Sequence, residues 1–119
     1  MERASGVLMP VSSLPGPYGI GGFGWNAYDF VDFLASCKQH YWQILPLTTT
    51  SYGDSPYQSF SAFAGNPYFI DLELLLRQGL LRENELEEIG IPVDSSCVDY
   101  EALYLTRLPL LRRAYVRFR

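Results

Sequence analysis

The hydrophobic and polar positions of this chain change period several times, and each change marks an element. Gly6-Val-Leu-Met-Pro-Val11 is a continuous apolar run, the pattern of a strand covered on both faces of a parallel sheet. Ser12 to Gly24 breaks it with Pro15, Pro17 and five glycines, which predicts a turning loop. From Trp25 to Lys38 the period becomes helical. Ala27, Phe30, Val31, Leu34 and Cys37 share one face, and Asp29, Asp32, Ser36 and Gln39 fall largely elsewhere. Tyr41-Trp-Gln-Ile-Leu-Pro-Leu47 is a second strand, so the first third reads as strand, helix, strand: a βαβ unit with a right-handed crossover.

The second half reads as helical. Asp71 is positioned to cap a helix over Leu72–Gln78 that Gly79 stops, and Glu83–Ile89 forms another with Gly90 beyond it. Pro92 to Val98 is expected to be loop. A longer helix starts at Asp99 or Tyr100, with Leu103, Leu108, Leu111, Ala114, Tyr115 and Phe118 as its apolar stripe. Pro109 is expected to kink or divide it. The pattern runs to Arg119 without a stop signal, which predicts a truncated segment of a longer polypeptide.

Composition narrows the function classes. With 119 residues, 48% of them hydrophobic and 18% charged, the chain belongs with globular domains rather than disordered ones. Nine Lys and Arg against thirteen Asp and Glu give a net charge of −4, which argues against a nucleic-acid partner. The late basic cluster, Arg107, Arg112, Arg113, Arg117 and Arg119, reads as a solvated helix face. Cys37 and Cys97 make neither a disulfide framework nor a zinc site, and Cys37 falls on the apolar stripe as a core residue. No apolar run approaches a membrane span, and no leader pattern opens the chain. The expected compartment is the cytoplasm.

Candidate chemistry concentrates between Ser51 and Pro67, within a loop of about 20 residues from Thr48 to Pro67, a length usually associated with function. Tyr52, Tyr57, Phe60 and Phe63 stand there among small hydroxyls, Asp54, Gly53 and Pro56. Aromatic faces cover the C–H faces of a pyranose, and short polar groups bond its hydroxyls. The segment has no proton-transfer pair, thiol nucleophile or metal cluster, so it can hold a sugar but not transform one. Tyr57 reads either as a platform for a sugar or as a loop anchor against Phe60 or Phe63, and Ser55 either as a sugar contact or as a turn cap. Phe60, Phe63, Tyr68 and Phe69 are assigned to packing, Asn66-Pro67 to a turn, and Asp54 to turn formation rather than acid catalysis.

Ser12-Ser-Leu-Pro-Gly-Pro-Tyr-Gly-Ile20, Tyr41-Trp-Gln-Ile-Leu-Pro-Leu47 and Tyr52-Gly-Asp-Ser-Pro-Tyr-Gln-Ser-Phe-Ser-Ala-Phe-Ala-Gly-Asn-Pro67 together resemble the amino-terminal part of the 4-α-glucanotransferases of glycoside hydrolase family 77. Val98-Asp-Tyr-Glu-Ala-Leu-Tyr104 and Leu108-Pro-Leu110 fit the same group. The resemblance implies an α/β fold, a partial (β/α)8 barrel in which residues 1–71 supply the first two strands and the substrate loop 48–67. Residues 72–119 then begin an inserted helical subdomain. A bare barrel needs about 250 residues, so this chain cannot close one.

The resemblance also implies roles. Ser55 and Tyr57 lie on the donor side of the cleft, as hydrogen-bonding group and stacking platform, with Gly53 and Asp54 shaping the turn. Tyr52 and Tyr104 match positions of an additional glucan patch, with ordinary packing as the alternative. The implied reaction moves α-1,4-glucan segments between maltooligosaccharides by a retaining double displacement. Its carboxylates map to later strands, leaving no catalytic residue within 1–119, and neither organic cofactor nor metal is implied. Two other readings stay open: a non-enzymatic α-glucan-binding module, and a truncated product that self-associates through uncovered strand edges.

Overall fold

The computed structural model describes residues 2–51, 53–90 and 96–119; Tyr52 and most of the expected loop at 92–98 fall outside them. Two short strands, β1 (Gly6–Leu8) and β2 (Tyr41–Gln43), pair in parallel with Gly6 opposite Tyr41 and Leu8 opposite Gln43. Helix α1 (Trp25–Ser36) makes the crossover. Both strands are shorter than the apolar runs that predict them. After Met9 donates to the Gln43 carbonyl at 3.0 Å, the chain leaves the sheet at Pro10, and Val11–Ser13 turns into a 3-10 helix.

Helix α1 sits against β2 through Phe30 and Trp42, whose rings meet edge-on at 5.0 Å. The Trp42 indole donates to the Met9 carbonyl at 2.8 Å, tying the two strand ends together. Within the expected apolar stripe only Ala27 and Leu34 are buried. Cys37 is exposed, contrary to its assignment as a core residue: it caps the helix where the chain leaves the cylinder, and Lys38 takes a left-handed φ of 58°. Leu8, Tyr28, Phe33 and Tyr41 are exposed as well. The βαβ unit is therefore covered thinly.

The better-packed part lies between the loop after β1 and the helical second half. Asp71 Oδ1 accepts from the Leu74 amide at 2.8 Å and starts α2 (Leu72–Arg77); α3 (Glu83–Glu87) and α4 (Tyr100–Phe118) follow, the last capped by Asp99 through the Ala102 amide at 3.0 Å. Leu72, Leu81, Leu86, Leu110 and Ala114 form one core cluster, with Tyr18 packed on it. Ile20, Tyr68 and Leu103 form a second.

Helix α4 differs from its expected form in two ways. Pro109 does not divide it: Pro109 and Leu105, whose carbonyl that proline leaves without an amide donor, are both exposed, so water can serve the carbonyl. The buried face is Leu103, Arg107, Leu110 and Ala114, so the basic cluster is not a uniformly solvated face. Among the described residues no helix is long and apolar enough to cross a membrane.

Glu85 joins α3 to α4. Both Arg117 guanidinium nitrogens donate to its carboxylate at 2.7 Å, the Arg82 amide donates at 2.9 Å, and Arg113 approaches to 3.6 Å. The Arg117 fork and then the Arg82 amide, acting against burial, hold the Glu85 carboxyl at about 2, below the ordinary 4.5. A lowered folded value means that protonation favours the unfolded chain. The stabilisation is complete above 4.5 and vanishes as pH falls toward 2. Urea midpoints measured across that window should fall less steeply with acidity in Glu85→Gln than in the wild type; parallel slopes would remove the ion pair from the acid response.

Candidate functional site

The loops that follow β1 and β2 leave the same end of the parallel pair, so residues 9–24 and the described residues of 44–66 share one face. The second loop is closed at its base. Thr48 bridges Gly65, and the Asn66 amide donates to the Leu47 carbonyl at 2.8 Å. Asn66 is buried; its Oδ1 accepts from the Tyr68 amide at 3.0 Å and starts a 3-10 turn over Pro67–Phe69. The Asn-Pro pair thus anchors the loop, more than the simple turn its sequence suggests.

Between its ends the loop is held by its own polar groups. The Ser51 amide bonds the Gln58 carbonyl at 3.0 Å, and the Asp54 and Gln58 amides bond the Ser51 and Ser55 carbonyls. Gly53 and Asp54 both turn with positive φ, 96° and 58°, a pair of left-handed residues that glycine and aspartate accept most readily. Thr49 and Ser59 hydroxyls meet at 3.0 Å, and the Ser61 hydroxyl accepts from the Phe63 and Ala64 amides at 3.2 Å each.

This scaffold presents the expected residues differently. Ser55 is half-buried and its Oγ accepts from the Tyr57 amide at 3.3 Å, an arrangement that uses one lone pair and leaves the hydroxyl hydrogen and a second lone pair for another partner. Tyr57 is 72% exposed. Phe60 and Phe63, assigned to packing by sequence, are 84% and 99% exposed, because serine hydroxyls and backbone bonds hold the loop where side-chain packing was expected. Tyr68 and Phe69 do pack inward. Among the described residues no ring contact sets Tyr57 against either phenylalanine.

Helix α4 brings Tyr104 toward the same region. Burial, then the Asp54 carboxylate, then the Tyr104 and Tyr100 phenols push the Tyr68 phenol above its ordinary value. The Tyr100 phenol is likewise raised by burial and by Asp54, with a hydrogen bond from Ser12 opposing. Tyr68 and Tyr100 rings lie 6.0 Å apart. Asp54 and the 61%-exposed Tyr104 therefore flank one tyrosine cluster, while Tyr52 lies outside the described residues. Sequence reasoning gave no role to Tyr100 and only a turn to Asn66, which anchors the loop base; Asn before Pro, a helix-starting pair, was the available signal for the capping role of Asn66. Among the described residues no group of three His, Cys, Asp or Glu is arranged to hold a metal ion.

Taken together, the face offers exposed aromatic rings and partly used hydroxyls on a turn fixed at both ends. Ring faces and free hydroxyls are the groups that a polyhydroxylated ring contacts.

Residues 9–119 match the family model of the 4-alpha-glucanotransferases. The 4-alpha-glucanotransferase of Streptococcus pneumoniae is 64% identical over 117 residues, covering 98% of this chain and 23% of that protein. That of Thermus thermophilus is 51% identical over 119 residues, with 100% and 23% covered. Among solved structures, the amylomaltase from Streptococcus agalactiae in complex with acarbose superposes with a TM-score of 0.90 at 52% identity, over 98% of this chain and 24% of that one. The chain thus spans about a quarter of the length of the curated relatives it matches.

Proposed function

The chain belongs to the 4-alpha-glucanotransferase family, and on that premise we propose that it furnishes a substrate-holding part of an enzyme that transfers α-1,4-glucan segments between maltooligosaccharides. In this reading β1 and β2 are the first two strands of a (β/α)8 barrel, residues 72–119 begin an inserted helical subdomain, and the loop over 48–67 lies on the barrel's working face. Tyr57 stacks on a donor-side sugar, Ser55 bonds one of its hydroxyls, and Gly53 and Asp54 hold the turn. Tyr52 and Tyr104 contribute to a further glucan contact.

The transfer itself runs by retaining double displacement: one carboxylate attacks the anomeric carbon and a second protonates the departing oxygen, then deprotonates the incoming hydroxyl. Both carboxylates are assigned to polypeptide outside residues 1–119, and the whole works in the cytoplasm without cofactor. The observation that carries the reading is the 72%-exposed Tyr57 beside a half-buried Ser55 on an internally bonded loop at the carboxyl end of β2. The exposed Leu8 and Tyr41 support incomplete coverage of the sheet, and through its uncovered edges the isolated chain self-associates at high concentration.

A stack and a hydrogen bond each contribute about 1 kcal/mol, less together than the roughly 4 kcal/mol that a millimolar site needs. Titration of the 119-residue chain with maltoheptaose should therefore move amide resonances around Ser55–Gln58 only at concentrations above millimolar. Tyr57→Ala should weaken that response about fivefold. Micromolar affinity would favour a self-sufficient binding module. Conversion of maltotriose to glucose and longer glucans by this chain alone would place the carboxylates inside it and overturn their assignment.

A further inference from the structure

Arg107 stands in the middle of the buried face of α4, 3% exposed, where an apolar residue would serve the packing of that helix. Burial of a guanidinium is costly unless its donors are used. Here they reach backbone rather than a carboxylate. Nη2 donates to the Ile70 carbonyl at 2.6 Å and Nη1 to the Tyr18 carbonyl at 3.4 Å. Ile70 lies just beyond the loop that follows β2, and Tyr18 lies within the loop that follows β1.

The same two segments already touch. The Phe23 amide donates to the Phe69 carbonyl at 3.1 Å, and the two rings meet edge-on at 6.2 Å. Arg107 thus spans a seam between the two loops that form the candidate face. Its Nε has no partner among the described residues. Arg107 also lines a cavity of about 20 Å³ together with Gly16, Tyr18, Asn26 and Asp71. Desolvation lowers the Arg107 value to about 10, with the Asp71 charge opposing, so the group stays cationic at neutral pH.

We propose that Arg107 is a positioning residue: its divergent guanidinium donors lock the loop after β1 onto the end of the loop after β2 and so set the face that carries Ser55 and Tyr57. What is positioned rests on the glucan-holding reading above; the lock itself rests on the two carbonyl contacts. Lysine presents all its donors from one atom and cannot reproduce the fork, and methionine keeps only the packing.

The test is amide hydrogen exchange by NMR on the 119-residue chain. Phe23, which bonds across the seam, is compared with Gln78, which bonds within the α2 terminus. Arg107→Met should accelerate exchange at Phe23 about tenfold relative to Gln78, as expected for loss of roughly one charge-assisted hydrogen bond, and Arg107→Lys should fall between. Equal acceleration at both amides, or none at either, overturns the lock and leaves Arg107 a general stabiliser. If Arg107→Met does not fold, Arg107→Lys decides: Phe23 must still outpace Gln78. A wild-type chain whose Ser55 and Tyr57 resonances ignore maltoheptaose at any concentration fails the glucan reading alone. Unaltered Phe23 protection in a variant that still responds to glucan fails the lock alone.

Discussion

Leu72→Ala should lower the free energy of unfolding by about 2–5 kcal/mol, a large share of what a small domain has. Leu72 opens α2 directly after its Asp71 cap, and its side chain is fully buried against Leu81, Leu86, Leu110 and Ala114. It therefore joins α2, the connection to α3, α3 itself and α4 at one point. Truncation removes the transfer energy of three carbons and leaves a cavity that helices pinned by the Glu85–Arg117 pair cannot close. Urea unfolding at low protein concentration measures the change. A loss below about 1 kcal/mol would mean that the helical half collapses around the gap instead of holding its shape.

The prediction can be made because this part of the fold is legible in sequence. An Asp followed three residues later by a free amide, at Asp71 and again at Asp99, fixes both helix starts, since the carboxylate has one close donor to satisfy. The parallel βαβ arrangement follows from two apolar runs around a helical period, and it appears with Gly6 opposite Tyr41. The extent of the strands was not legible. An apolar run says that residues avoid water, not that their amides find a partner, and Val11 turns into a 3-10 helix instead of extending the ladder.

Helix α4 shows a second limit. Counting apolar residues selects Leu103, Leu108, Leu111, Ala114, Tyr115 and Phe118; Leu103 and Ala114 are buried as expected, but the other two buried positions are Arg107 and Leu110. The true stripe keeps helical spacing but contains a cation whose partners, the carbonyls of Tyr18 and Ile70, come from 89 and 37 residues away. Nothing local announces such a pairing. The candidate site divides in the same way. The turn bond of Ser55 to the Tyr57 amide is readable from the loop, because turn residues and hydroxyls act on near neighbours. The approach of Tyr104 and Asp54 to a shared tyrosine cluster depends on where α4 docks. The exposure of Phe60 and Phe63 was missed for a related reason: hydroxyl-to-backbone bonds can shape a loop that hydrophobicity alone would fold inward.

Gly21→Ala should destabilise the chain by roughly 2–4 kcal/mol, combining overpacking against backbone with a strained or broken hydrogen bond. A methyl group at Gly21 would lie 2.2 Å from the Val11 carbonyl oxygen, 2.6 Å from the Leu14 oxygen and 2.8 Å from the Leu14 nitrogen. All three are main-chain atoms, so no side chain can swing aside. The loop after β1 would have to open, and with it the bond from the Gly21 amide to the Ser12 carbonyl at 3.1 Å. Ile20 lies in the cluster with Tyr68 and Leu103, with Tyr100 packed on it, so the disturbance passes to the tyrosines of that cluster. Gly65→Ala supplies the control. Nothing lies within 4 Å of the position of its added methyl, and its φ is not left-handed. That variant should be neutral or gain up to about 1 kcal/mol by restricting the unfolded chain. Urea midpoints for the pair, read beside Tyr100 and Tyr68 resonances, separate the two cases: similar stabilities for both variants would show that the loop after β1 yields freely and does not brace the face.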